Sequence, residues 1–222
     1  MPRTTLWTLT DLGFFAGAVF PSLLVAGLLS AWIPSVGVRS LTYQTAVYAL
    51  LLSVLYVLAH VRHEVSLATA VDWILPFPHA ARIIVAAPLL AMAVSVAGVL
   101  MRAPLIPSAI DQLTAIDIPL PVIAVFAVVL GPLFEELVFR GFLQPLLSAR
   151  LGAWAGVGLT SLAFSLLHGA QNQWLWQYLL LLFFAGLAFG IVRVRTGSTA
   201  AACLLHAGFN LTQVTAAIAA RA

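Results

Sequence analysis

Residues 120–147 read LPVIAVFAVVLGPLFEELVFRGFLQPLL. As a helix rising about 1.5 Å per residue, this run is long enough to cross a hydrocarbon core of roughly 30 Å. It nevertheless carries Glu135, Glu136 and Arg140. An ionised side chain near the centre of a bilayer costs roughly 2.5–3.5 kcal/mol, so three of them in one span require partners and a purpose. The stretch predicts an all-α membrane protein with polar chemistry inside it.

The rest of the chain agrees. It is 63% hydrophobic and only 8% charged, against roughly 25% charged in an ordinary soluble domain. There is no lysine, and the arginines are scattered singly, so no basic stripe suited to nucleic acid forms. Cys203 is the single cysteine, which excludes an internal disulfide framework and a Cys-rich zinc site. The stretch from about 12 to 33 is longer than a signal-peptide core and lacks a small-x-small cleavage site, so it is expected to remain as the first span.

Further apolar runs lie at about 41–61, 83–101, 153–170, 175–192 and 198–220, separated by turn residues such as Pro34, Pro76, Pro104, Gly152 and Gly197. Their length excludes a transmembrane barrel, whose strands are only about 10 residues. The expectation is a polytopic transmembrane helical bundle of about seven spans, within a range of six to eight. The run at 153–170 is short for a span. All of 1–222 forms one integral-membrane domain. With the N-terminus cytoplasmic, inner segments hold Arg3, Arg62, Arg82, Arg150, Arg193 and Arg195, and outer ones hold Arg39, Arg102 and Arg221. That bias predicts a cell inner or plasma membrane protein with N-in topology, and places Trp174, Trp176 and Tyr178 at the outer interface. The stretch 108–118, with Ser108 and Asp111 spaced as in a capping box, is expected to be a short surface helix. His60, His63 and His79 have no metal-site spacing and are expected to be solvated interfacial residues.

At 100° per residue, Glu136 and Arg140 lie about 40° apart and can pair, whereas Glu135 lies about 140° from Arg140 and is left to face something else. Pro132, one turn earlier, removes a backbone hydrogen bond and can open space beside the carboxylates. A hairpin folded at Gly152 brings His168 to the depth of Glu135 and Glu136, with Phe164 one turn away on the same face. In the last run His206 and Asn210 share a face. Taken singly, these groups could be a structural ion pair and interhelical hydrogen-bond donors. Together, an acid, two imidazoles and an amide can activate water and hold an oxyanion.

Three strings carry a resemblance. Glu135-Glu136-Leu137-Val138-Phe139-Arg140 fits E-E-x-x-x-R, Phe164-Ser165-Leu166-Leu167-His168 fits F-x-x-x-H, and His206-Ala207-Gly208-Phe209-Asn210 fits H-x-x-x-N. In this order, over about 130–212, they resemble the CPBP family, which contains the type II CAAX prenyl proteases and bacteriocin-processing and immunity-type homologues. The resemblance implies an intramembrane endopeptidase acting on a membrane-associated peptide or protein. It implies that Glu135 and His168 activate water, that His206 and Asn210 hold the oxyanion, and that Glu136, Arg140 and Phe164 shape the site or contact substrate. The family has been described both as glutamate proteases and as metalloproteases; the metal-free reading, preferred here, needs no cofactor, and the metallo alternative would hold zinc through Glu135, His168 and His206.

Other chemistries fit less well. There is no HExxH zinc motif, no aspartate within a span, and no glycine-flanked serine outside a turn. Cys203 stands one turn from His206, which allows a Cys–His dyad. A proton-coupled membrane transporter would use the same carboxylates as a relay but favours duplicated halves, which this sequence lacks. A catalytically silent immunity or scaffold protein of the same fold is the remaining alternative.

Overall fold

The computed structural model describes residues 5–106 and 118–220. The expected surface helix lies outside these apart from Ile118, as do Arg3 and Arg221. Among the described residues all regular structure is helical. Helix α1 (Leu9–Ser30) starts at a capping box in which Thr8 and Asp11 satisfy each other's backbone amides. Helix α2 spans Val36–Arg62, α3 is a single turn at Leu67–Ala70, and α4 is Ala80–Leu100. Then come α5 (Leu120–Leu151), α6 (Ala153–Leu167), α7 (Trp176–Thr196) and α8 (Thr199–Ala219).

Six of these helices are long and apolar enough to cross a membrane, and α6 is the shorter apolar helix expected. The protein is therefore an integral membrane protein with an all-α polytopic fold. Its centre is α5. Half of its most apolar window is buried inside the protein, against 11% for α1. One side of α5, with Phe134, Leu137, Val138 and Phe142, packs against α1, α2 and Val71. Phe139 faces the other way and packs with Phe164, Phe189, Leu205 and Phe209 of α6, α7 and α8. In a bilayer such contacts derive from close packing rather than from exclusion of water.

Helix α5 is not regular. Over Phe126–Leu130 and Leu137–Leu143 the turns widen, and Gly131 N–H donates to Phe126 and Gln144 N–H to Phe139, five residues back instead of four. Each widened turn runs into a proline that cannot donate, Pro132 or Pro145. The two effects leave backbone carbonyls without helical partners, and side chains from other parts of the chain satisfy them. Ala127 accepts from Asn210 Nδ2 at 2.8 Å, Arg140 from Arg193 Nε at 3.1 Å, and Gly141 from Trp7 Nε1 at 2.9 Å. Gly141 must be glycine here, because a Cβ would lie 2.7 Å from that of Val71.

The segment between α2 and α4 is more ordered than a solvated loop. Val71 is fully buried, and its carbonyl accepts from Thr199 Oγ1 at the start of α8, while Ser198 Oγ donates to the Ile74 carbonyl. Asp72 pairs with Arg193 at 2.5 Å. His63 also departs from its expected solvated state. Its Nε2 lies 3.0 Å from Asp11, which Arg62 meets at 2.9 Å from the other side. A buried carboxylate needs such partners, and the sequence did not reveal that Asp11 would be buried.

Candidate active site

Two adjacent glutamates on α5 have opposite surroundings. Glu136 and Arg140 are both fully buried and pair at 3.0 Å through Nη1, as their four-residue spacing predicts. Arg140 Nη2 donates to the Gly186 carbonyl of α7 at 2.9 Å, and the guanidinium stacks near Phe164, Phe189 and Phe139 at 4.9, 5.4 and 5.7 Å. An arginine suits this place because its planar, weakly hydrated fork can pair and stack at once. The same Glu136 oxygen accepts from His206 Nδ1 at 2.9 Å. Glu136 is thus a fixed anion between a cation and an imidazole.

Glu135 remains partly open, with 17% of its side chain exposed. Its Oε1 lies 3.8 Å from His168 Nε2 and its Oε2 lies 3.8 Å from His206 Nε2. Those gaps are too long for direct hydrogen bonds and suit groups that share a water. Both imidazoles are held from behind. His168 sits at the C-terminus of α6, where its own N–H bonds to Ser165 and leaves the Phe164 carbonyl to its Nδ1 at 2.8 Å. A carbonyl can only accept, so Nδ1 carries a proton and Nε2 is the nitrogen turned toward Glu135. Here is a physical reason for the F-x-x-x-H spacing: the phenylalanine supplies both a ring packed at a tilt against the imidazole, 4.6 Å away, and the carbonyl. In His206 the Glu136 carboxylate fixes Nδ1–H in the same way, and Phe189 stacks on the ring at 4.4 Å.

Glu135, Glu136, Arg140, Phe164, His168 and His206 therefore converge from α5, α6 and α8. Asn210 does not bond to any of them; its amide is turned to the Ala127 carbonyl of the first widened turn. Sequence reasoning missed Gly186, Phe189 and Tyr48. Phe189 and Gly186 look like ordinary span residues in a sequence, and only the packed helices reveal their contact with His206 and Arg140. Tyr48, on α2, stacks on Phe134 with ring centroids 3.8 Å apart, next to Glu135. Cys203 is left without an imidazole nitrogen, since those of His206 face Glu136 and Glu135. As for zinc, among the described residues no group of three His, Cys, Asp or Glu side chains is arranged to hold a metal ion.

The comparison with known families matches residues 117–212 to the type II CAAX prenyl endopeptidase Rce1-like family. This segment is similar to that family. The match covers all three motifs and the helices that bring them together, so the CPBP relationship read from the motifs is the one the comparison finds. Residues 117–212 accordingly form the core of a CAAX-type intramembrane protease fold. No curated protein and no solved structure matches the chain.

Proposed function

We propose that the protein is an intramembrane endopeptidase of the glutamate type that hydrolyses a peptide bond in a membrane-associated peptide or protein. The observation that supports this most is the 3.8 Å spacing of the partly open Glu135 carboxylate from two imidazole nitrogens whose opposite faces are fixed. A water between Glu135 and His168 can donate one hydrogen to each. As its oxygen attacks the scissile carbonyl, Glu135 takes the proton and later delivers it to the leaving amine as the C–N bond breaks. His206 as an imidazolium from the outset, with Nδ1–H on Glu136 and Nε2–H toward the site, and the second N–H of Asn210 are the donors for the tetrahedral oxyanion. Glu136 and Arg140 hold His206 and the α5–α7 contact and take no proton. No step in this scheme runs through a metal.

The bilayer sets the substrate class. A site midway along α5, walled by apolar helices, suits a chain already tethered to the membrane. The resemblance to CAAX-type proteases supports access from the cytoplasmic side. A strain carrying Glu135→Ala should accumulate an uncleaved precursor in its membrane proteome that wild type processes. Identical membrane proteomes would remove the peptidase reading. Loss of activity on strong chelation, restored by zinc, would replace the glutamate mechanism with a metal one.

A further inference from the structure

The Rce1-like match begins at residue 117, so nothing in it bears on α2. Tyr48 of that helix nevertheless reaches the site. Its ring is stacked on Phe134, 3.8 Å between centroids and 13° from parallel, and is nearly parallel to Phe126 at 5.9 Å. Those two rings belong to the turns on either side of Gly131–Pro132, so the tyrosine is aligned with the part of α5 that presents Glu135. One turn back on α2, Gln44 Nε2 donates to the Tyr48 hydroxyl oxygen at 2.7 Å. A phenol has a single proton. With its oxygen accepting from Gln44, that proton is free to be given elsewhere, and Glu135, next in the chain to the stacked Phe134, is the charged side chain that acts on the phenol.

Glu135 has use for such a donor. Glu136 is held at 3.0 Å or less by two groups, whereas neither imidazole comes closer than 3.8 Å to Glu135. A carboxylate that must share a water with His168 has to be kept from rotating toward the protein wall. We propose that Tyr48 is a positioning residue for Glu135, donating its phenolic hydrogen to the carboxylate while Gln44 orients the hydroxyl. The assignment rests on the reading of Glu135 as the group that activates water. It completes the site with a residue from the N-terminal half of the chain.

Tyr48→Phe tests it, since phenylalanine keeps the stack on Phe134 and loses only the hydroxyl. With a purified membrane-anchored peptide as substrate, kcat should fall about 10- to 100-fold, the effect of a hydrogen bond to a charged group. KM and the thermal midpoint should stay at wild-type values. Gln44→Leu, at an exposed position, should lower kcat in the same direction by less, again without loss of stability. A wild-type kcat in Tyr48→Phe, or a raised KM with kcat unchanged, overturns the proposal. If Tyr48→Phe also unfolds early, Gln44→Leu decides: an unchanged kcat there overturns it. Glu135→Gln is measured alongside. If that variant is inactive while Tyr48→Phe is normal, only the tyrosine assignment falls; if it cleaves normally, the reading of Glu135 falls first.

Discussion

At the scale of residues, the site depends on a division of labour between neighbours. Glu136 is an anion fully enclosed by Arg140 and His206, and removing one member of such a pair strands a charge in a medium that solvates it poorly. Glu136→Gln or Arg140→Met alone should each lower stability by about 3–5 kcal/mol, read as an early thermal transition in detergent. The double variant should regain part of that stability and no activity, because His206 would have lost the carboxylate that orients it. Single variants as stable as wild type would show that the pair contributes nothing to the fold. The pairing of Glu136 rather than Glu135 was legible in the sequence, because 40° against 140° on one helix decides it. The proton positions on His168 and His206 were not legible. They depend on which carbonyl or carboxylate stands behind each ring, and that is known only after helices from distant parts of the chain have packed. Tyr48 was hidden for the same reason, and it lies in a half of the sequence without motifs.

At the scale of elements, the two widened turns of α5 explain why a helix rich in proline and glycine can be the most buried one. Each turn releases backbone carbonyls, and each carbonyl becomes an attachment point for another element: α8 through Asn210, α7 through Arg193, and the segment before α1 through Trp7. Trp7→Phe tests this. Phenylalanine can keep the edge contacts with Phe142 and His63 but leaves the Gly141 carbonyl buried and unsatisfied. Stability should fall by about 1–3 kcal/mol in thermal or denaturant unfolding. An unchanged transition would mean that water or the backbone takes the place of the indole. Hydropathy located every apolar run, including the short one that became α6. Pro132 signalled a break in α5 but not its kind, because a kink and a widened turn remove the same hydrogen bond. Asn210 shows the cost of that gap. Its motif position suggested an oxyanion donor, yet one of its N–H groups is already given to the backbone that the break exposes.

At the scale of the whole molecule, α5 separates a bundle of α1 and α2 from one of α4, α6, α7 and α8. The ends that carry Arg62, Asp72 and Arg193 gather on one side of the bundle, joined by the Asp11 and Asp72 ion pairs. We propose, from the arginine bias, that this side is cytoplasmic. In a Cys203→Ala background, a cysteine at the exposed Val61 should react with a membrane-impermeant thiol reagent only in inside-out vesicles. One at the exposed Leu105 should react only in right-side-out vesicles. The reverse pattern would invert the topology and move substrate access to the outer face. The claim on which the account turns is that Glu135 takes a proton from water, and cleavage of a membrane-anchored peptide by purified Glu135→Gln protein tests it most directly. Glutamine keeps the shape and an acceptor but is not a base, so the rate should fall by roughly 10²–10⁴-fold while the thermal transition stays in place. Cleavage near the wild-type rate would contradict the account.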